Sequence, residues 1–206
     1  SLLVSELGTR PMKIQSQTFE RLVLGQLFET TGPREGQDLL DHYIAVIEGK
    51  TGSLIAAAGE YGSLLSGASE EVISMVKTYG ELVGVAFQLA DDVIDIVSDG
   101  KTSGKTRGTD LREGVPTLPT ILLDRAVAAG DESAREVRAL LDADLSSDEA
   151  LETAVEALSA HPVTQEAWQI AYDWADRAIE AIAPLPDSTA KAALESFAHA
   201  VVHREG

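Results

Sequence analysis

Between Val83 and Val97 the chain reads VGVAFQLADDVIDIV, ten apolar residues of fifteen with three aspartates set among them. A helix apolar on nearly every side is buried on most of its surface. It is also too short to span a bilayer, which takes about 20 apolar residues. One turn of helix, about 6 Å of rise, separates Asp91 from Asp95 on a single face. Gln88 lies one turn earlier on that face, and Gly84 one turn before that. Whatever this chain folds into must bury this helix and still provide for Asp91, Asp92 and Asp95.

That provision is demanding. Two carboxylates about 6 Å apart repel by roughly 3 kcal/mol at an effective dielectric of 20. Without a counter-charge, an apolar setting would push such groups towards protonation. No Lys or Arg occurs between Lys77 and Lys101. A solvated acidic patch would explain a bare DDxxD, but these flanks oppose it. A divalent cation resolves the conflict. Hard carboxylate oxygens suit Mg²⁺, which keeps waters and shares substrate phosphates.

The remainder reads as helix. Alanine and leucine are abundant and aromatics make up 5%, a mixture that favours helices over sheets. A stripe of Phe19, Leu22, Val23 and Leu27 predicts a helix over 12–31, stopped by Gly32-Pro33. Asp38 is the expected N-cap of a helix running to about Ser66, and Ser69-Glu70-Glu71 opens the next, to about Val97. Residues 98–115 form a polar, glycine-rich loop. A helix is expected over 116–129. Three or four shorter ones follow over 132–206, with breaks at 145–147, 161–162 and 184–186. The expectation is one all-α domain, a helical bundle over residues 1–206.

The formal charge of −18, from 34 acids against 16 Lys and Arg, argues against a nucleic-acid surface. It does not argue against an anionic substrate whose charge a metal neutralises. The chain has no cysteine, hence no disulfide and no thiol chemistry. No apolar run reaches membrane-spanning length, and the short apolar start (SLLVSEL) has no basic leader, so no signal peptide is expected. The absence of an initial Met, within a helical pattern, reads as the continuation of a longer chain.

Basic residues stand where a phosphate could meet them. Lys50 interrupts the apolar stripe of Tyr43, Ile47 and Leu54, and no residue three or four positions away is acidic. A lysine so placed needs an anion from elsewhere in the fold or from a ligand; the plainer alternative is a snorkelling surface lysine. Thr51 adds a hydroxyl beside it. Lys101, Lys105 and Arg107 lie within seven positions of a loop carrying Gly100, Gly104 and Gly108, which suits a basic lid over the aspartate face better than a merely solvated turn. Gly104-Lys105-Thr106 is not a P-loop: the glycine spacing is wrong and the segment follows a helix. Gln26 is expected to be a buried amide satisfied by backbone. His42, His161, His199 and His203 show no metal-ligand spacing.

Taken in order, Gly25-Gln26, Lys50-Thr51, Gly80, Gly84-x-x-Phe87-Gln88-x-x-Asp91-Asp92-x-x-Asp95, Gly104-Lys105, Gly108-x-Asp110 and Pro116-Thr117-Leu118-Pro119 resemble the motifs of the trans-type polyprenyl (isoprenyl) diphosphate synthases. The likeness runs through the whole chain and is most specific over residues 84–119. It implies a helical bundle around a central cavity, a homodimer, and a cytoplasmic, Mg²⁺-dependent prenyltransferase. Such an enzyme joins isopentenyl diphosphate head-to-tail to an allylic diphosphate, and its product can pass to a membrane. By motif position, Asp91, Asp92 and Asp95 would be the second aspartate-rich metal motif. Lys50 and Lys105 would contact the allylic diphosphate, Thr51 and Gln88 would line the reacting centre, and Phe87 would pack against isopentenyl diphosphate. Asp110 would reach a metal through water.

Two departures stand out. Val115 occupies a position where many such enzymes have lysine. The first aspartate-rich motif, which in the family lies upstream of the region covered here, is absent, so these 206 residues by themselves are expected to be inactive. A terpene cyclase of the same fold is a related alternative, though Phe87-Gln88 before the aspartates favours elongation. A non-catalytic partner subunit of a prenyl synthase is an alternative of another class, opposed by the intact aspartates with Lys50 and Lys105.

Overall fold

The computed structural model describes residues 2–98 and 107–203. The expected lid residues Lys101 and Lys105 lie outside the described residues. Among those described, all regular structure is helical, as the composition and punctuation predict. In chain order the helices are α1 (Leu2–Glu6), α2 (Thr9–Thr31), α3 (Leu39–Ile47), α4 (Ser53–Leu65), α5 (Glu70–Val97), α6 (Thr109–Glu113), α7 (Leu118–Ala128), α8 (Glu132–Leu141), α9 (Asp148–Ala160), α10 (Pro162–Ala181) and α11 (Thr189–Val202). A π-helical segment, Glu48–Gly52, joins α3 to α4. No helix among the described residues is long and apolar enough to cross a membrane.

Caps explain several boundaries. Asp38 accepts from Asp41 N at 3.0 Å, as expected for an N-cap. Asp131 and Ser147 do the same for α8 and α9, from Ala134 N and Ala150 N, both at 3.2 Å. Gly32, at φ 73°, closes α2 by donating to Phe28 O at 2.9 Å, a conformation that suits a glycine.

Packing divides the chain into two compact units, Ser1–Gln88 with Tyr172–Val202, and Leu89–Ala171 with His203–Gly206. In the first unit, Tyr79, Val83, Ala178, Ile182 and Ala198 form a buried cluster, with Ile55, Leu82 and Leu194 packed against it. Tyr79 Oη donates to Leu194 O at 2.7 Å, which satisfies a phenol that is 4% exposed. The same unit brings helices to backbone contact at two glycine pairs. A Cβ on Gly25 would lie 3.1 Å from the Gly49 carbonyl carbon, and one on Gly84 would lie 2.7 Å from Gly52 Cα. A side chain at Gly84 would force the backbones apart, and one at Gly25 would need its neighbours to give by a few tenths of an ångström.

One expectation needs correction here. The single helix expected from Asp38 to Ser66 is interrupted: Ser53 N bonds Glu48 O, five residues back, and winds one π turn into it. The stripe on α2 lies on the expected helix. Phe19, Val23 and Leu27 are 66%, 49% and 51% exposed, whereas the residues α2 buries are Pro11, Ile14 and Gly25. The close glycine crossing decides this, because it turns the small-residue face of α2 inward.

In the second unit Leu89, Ala90, Val93 and Ile96 of α5, Leu118, Ile121 and Leu123 of α7 and Leu151, Ala154, Val155 and Leu158 of α9 are all essentially buried. Ion pairs tie its surface together, Arg107 to Glu152 at 3.3 Å and Arg112 to Asp148 at 2.6 Å.

Candidate active site

The π turn is what presents Lys50 and Thr51. Inserting a residue into a helix shifts hydrogen-bond partners and leaves carbonyls to be satisfied by other groups. Ser53 Oγ donates to Gly49 O at 2.6 Å and to Lys50 O at 3.2 Å. Arg21 of α2 donates from Nη2 to Glu48 O at 3.1 Å and also pairs with Glu81 of α5. The bulge is therefore held from both sides. π bulges are frequent at functional sites.

Lys50 Nζ lies 2.6 Å from Glu29 Oε2, with side-chain exposures of 32% and 43%. The anion that the sequence demanded is thus supplied by the fold, 21 positions earlier on α2. Glu29 also accepts from Gln26 Nε2 at 2.7 Å. Gln26 is exposed, not the buried, backbone-satisfied amide expected. Glu29 was missed because its contact with Lys50 is tertiary; its spacing from Gln26, three positions along a helix, was the available signal.

Thr51 Oγ1 donates to Gln88 Oε1 at 3.1 Å, and both residues are half-buried. The hydroxyl on the bulge and the amide on α5 are brought together. Gly84 lies one turn before Gln88 and Gly52 directly follows Thr51, so the Gly84–Gly52 contact sits beside this bond. Phe87, also half-buried, neighbours Gln88 on α5. Glu48 is a further acid that sequence reasoning passed over. Burial, then the charge of Glu81, raises its carboxyl above the ordinary range, while Arg21 opposes the shift.

In the second unit the three aspartates meet different surroundings. Asp91 is exposed and Asp95 half-buried. Asp95 Oδ2 lies 3.4 Å from Asp110 N, in the first turn of α6, and its backbone carbonyl accepts from Gly108 N at 2.8 Å. Asp92 is 6% exposed and accepts from Leu118 N, the first residue of α7, at 3.3 Å. The charge balance read from the sequence is thereby amended. Two of the three carboxylates face backbone N–H groups at helix starts, where the helix dipole favours negative charge.

Among the described residues no three His, Cys, Asp or Glu side chains converge as a ready metal cage. Mg²⁺ does not need one. It is commonly held by one or two carboxylates, with water and substrate phosphate completing the octahedron. Hard oxygens on Asp91 and Asp95, outside an otherwise buried helix surface, fit that requirement.

Of the basic loop, Arg107 is described. It is turned to Glu152 and anchors the loop's end to α9. Gly108 follows in a left-handed conformation, φ 71°, where a Cβ would meet Val155 at 2.3 Å. Asp110 accepts backbone N–H from Val115 at its own carbonyl, 2.9 Å away, and Val115 is exposed.

Comparison with known proteins bears on the whole arrangement. A family model described as polyprenyl synthetase matches residues 2–158. Nonaprenyl diphosphate synthase of Mycobacterium tuberculosis is 41% identical over 206 residues, all of this chain and 61% of that protein. Octaprenyl diphosphate synthase of Escherichia coli is 31% identical over 98% of this chain and 62% of its own length. Among solved structures, geranylgeranyl pyrophosphate synthase of Corynebacterium glutamicum, complexed with calcium and isoprenyl diphosphate, superposes with a TM-score of 0.87 at 41% identity, covering 99% of this chain and 62% of that one. The chain spans about three-fifths of the length of the relatives it matches.

Proposed function

This chain belongs to the polyprenyl synthetase family, and from that premise we propose that it forms part of a Mg²⁺-dependent, cytoplasmic prenyltransferase. The reaction is the head-to-tail condensation of isopentenyl diphosphate with an allylic diphosphate. The carbon–oxygen bond of the allylic substrate breaks and its electron pair leaves with diphosphate. The double bond of isopentenyl diphosphate then forms the new carbon–carbon bond, and a proton is lost from the adduct.

The observation that carries this reading is the exposure of Asp91 on a helix whose Leu89, Ala90 and Val93 are wholly buried. A carboxylate kept at the surface of such a helix is placed for a ligand. The cluster of Asp91, Asp92 and Asp95 is the magnesium–diphosphate site. Bound there, Mg²⁺ would stabilise the negative charge that develops on the departing diphosphate. Lys50 and Lys105 pair with phosphate oxygens. The hydrogen-bonded Thr51 and Gln88 line the reacting centre, and Phe87 packs against isopentenyl diphosphate.

A second copy of the chain is the partner assigned to the exposed stripe of Phe19, Val23 and Leu27, because an exposed apolar helix face can meet its own copy across a two-fold interface. The assay for the activity is incorporation of labelled isopentenyl diphosphate into butanol-extractable product by the full-length protein, with an allylic primer and Mg²⁺. Labelled product is expected. Its absence with primers of every chain length contradicts the proposal, and a monomer in sedimentation velocity contradicts the assigned partner.

A further inference from the structure

The three aspartates of the motif are not equivalent, and the difference follows from helix geometry. At 3.6 residues per turn, Asp95 comes round to within about 40° of Asp91, whereas Asp92 is displaced by about 100°. Asp91 and Asp95 therefore share a face. Asp92 faces the interior of its own unit, at 6% exposure.

What it meets there is the start of α7. The first turn of that helix is wholly internal: Leu118, Pro119, Thr120 and Ile121 are all buried. A buried first turn must find acceptors for N–H groups that lack intrahelical partners. Pro119 has no N–H. The Thr120 side chain accepts from Thr117 N at 2.9 Å and donates back to Thr117 O at 2.9 Å. Leu118 N remains. As the first helical residue it is out of reach of an N-cap side chain, which serves the second or third N–H. Its acceptor has to come from another element, and Asp92 Oδ2, 3.3 Å away, is that acceptor. The dipole at the start of α7 also favours a charged carboxylate in this buried position.

We infer that Asp92 is a positioning residue that holds the first backbone N–H of α7, so that presenting oxygens to the metal falls to Asp91 and Asp95. The inference rests on reading the cluster as the magnesium–diphosphate site, and divides the labour within it. It makes the motif a joint: one aspartate sets where α7 begins, and its neighbours on the other face meet the ligand.

Asp92→Asn keeps an oxygen acceptor and removes the charge, whereas Asp92→Ala removes both. The full-length protein is compared with these two variants and with Asp91→Asn by two measurements. The first is amide exchange at Leu118 by NMR, without metal or substrate. Exchange is expected to accelerate about tenfold or more in Asp92→Ala and to stay near the parent rate in Asp92→Asn. The second is calorimetric affinity for a non-hydrolysable allylic diphosphate with Mg²⁺. Asp91→Asn should lose about tenfold or more in affinity, and Asp92→Asn clearly less than Asp91→Asn. Parent-like exchange at Leu118 in Asp92→Ala overturns the inference. So does an Asp92→Asn protein that protects Leu118 yet loses affinity as far as Asp91→Asn does. If Asp92→Ala does not fold, the Asn variant still decides: protection at Leu118 with a smaller loss of affinity than in Asp91→Asn supports the role, and loss of protection or an equal loss of affinity contradicts it. A parent protein whose affinity ignores Mg²⁺ would remove the metal reading, and the exchange rates would still report on Asp92.

Discussion

Thr51 Oγ1 donates a hydrogen bond to Gln88 Oε1 at 3.1 Å, joining the π turn to α5. The bond helps to orient the Gln88 amide. Thr51→Ser, which keeps the hydroxyl, should retain turnover within a few-fold. Thr51→Val should lower kcat about tenfold or more, because misplacing a group at a reacting centre is costly. It should lower stability by only about 1 kcal/mol. Steady-state kinetics beside urea unfolding makes the comparison. Equal activity of the two variants would mean that the bond has no part in the reaction.

The Tyr79 phenol sets a pH limit on stability. Burial pushes its pKa up to about 12, from 10.0 in the open chain. Below pH 10 the phenol is protonated in both states. Between pH 10 and about 12 the unfolded chain releases the proton while the folded chain retains it, so stability falls as pH rises through that window. Tyr79→Phe removes this slope and also the hydrogen bond to Leu194 O. The variant should be less stable than the parent at pH 8, by about 1 kcal/mol. The gap should narrow from pH 10 to 12, as read from urea midpoints. A constant gap across that range would contradict the burial argument.

Much of the fold was legible because its signals are local. Asp38, Gly32-Pro33 and Ser147 mark helix ends by short-range hydrogen bonds that a sequence spells out. The π turn was not legible. Gly49 and Gly52 suggest close approach, but the partners Gly25 and Gly84 are distant in sequence, and only their meeting explains why the helix is distorted there. The exposure of Phe19, Val23 and Leu27 was not legible for a related reason: periodicity identifies an apolar face but says nothing of what covers it. In the site, residue types and spacing picked out Lys50, Thr51, Gln88 and the three aspartates. The partners Glu29, Leu118 N and Asp110 N come from other helices, and two of them are backbone groups that no side-chain motif can advertise.

Lys50 is partly exposed and paired with Glu29, and such pairs contribute about 0–1 kcal/mol. Lys50→Ala should therefore change the unfolding free energy of the ligand-free protein by no more than about 1 kcal/mol. Affinity for an allylic diphosphate should fall about tenfold or more, since a charge-assisted contact to phosphate is lost. Paired denaturation and binding titrations test both parts. A large loss of stability with unchanged affinity would make Lys50 a structural residue.

The central claim is that the acidic face of α5 holds diphosphate through a divalent ion. The most direct measurement is isothermal titration of a non-hydrolysable allylic diphosphate into the full-length protein, with Mg²⁺ and again with the metal chelated. The account predicts binding that depends on Mg²⁺, weakened about tenfold or more by chelation, because carboxylates and phosphates otherwise repel. Equal affinity with and without the metal would contradict it.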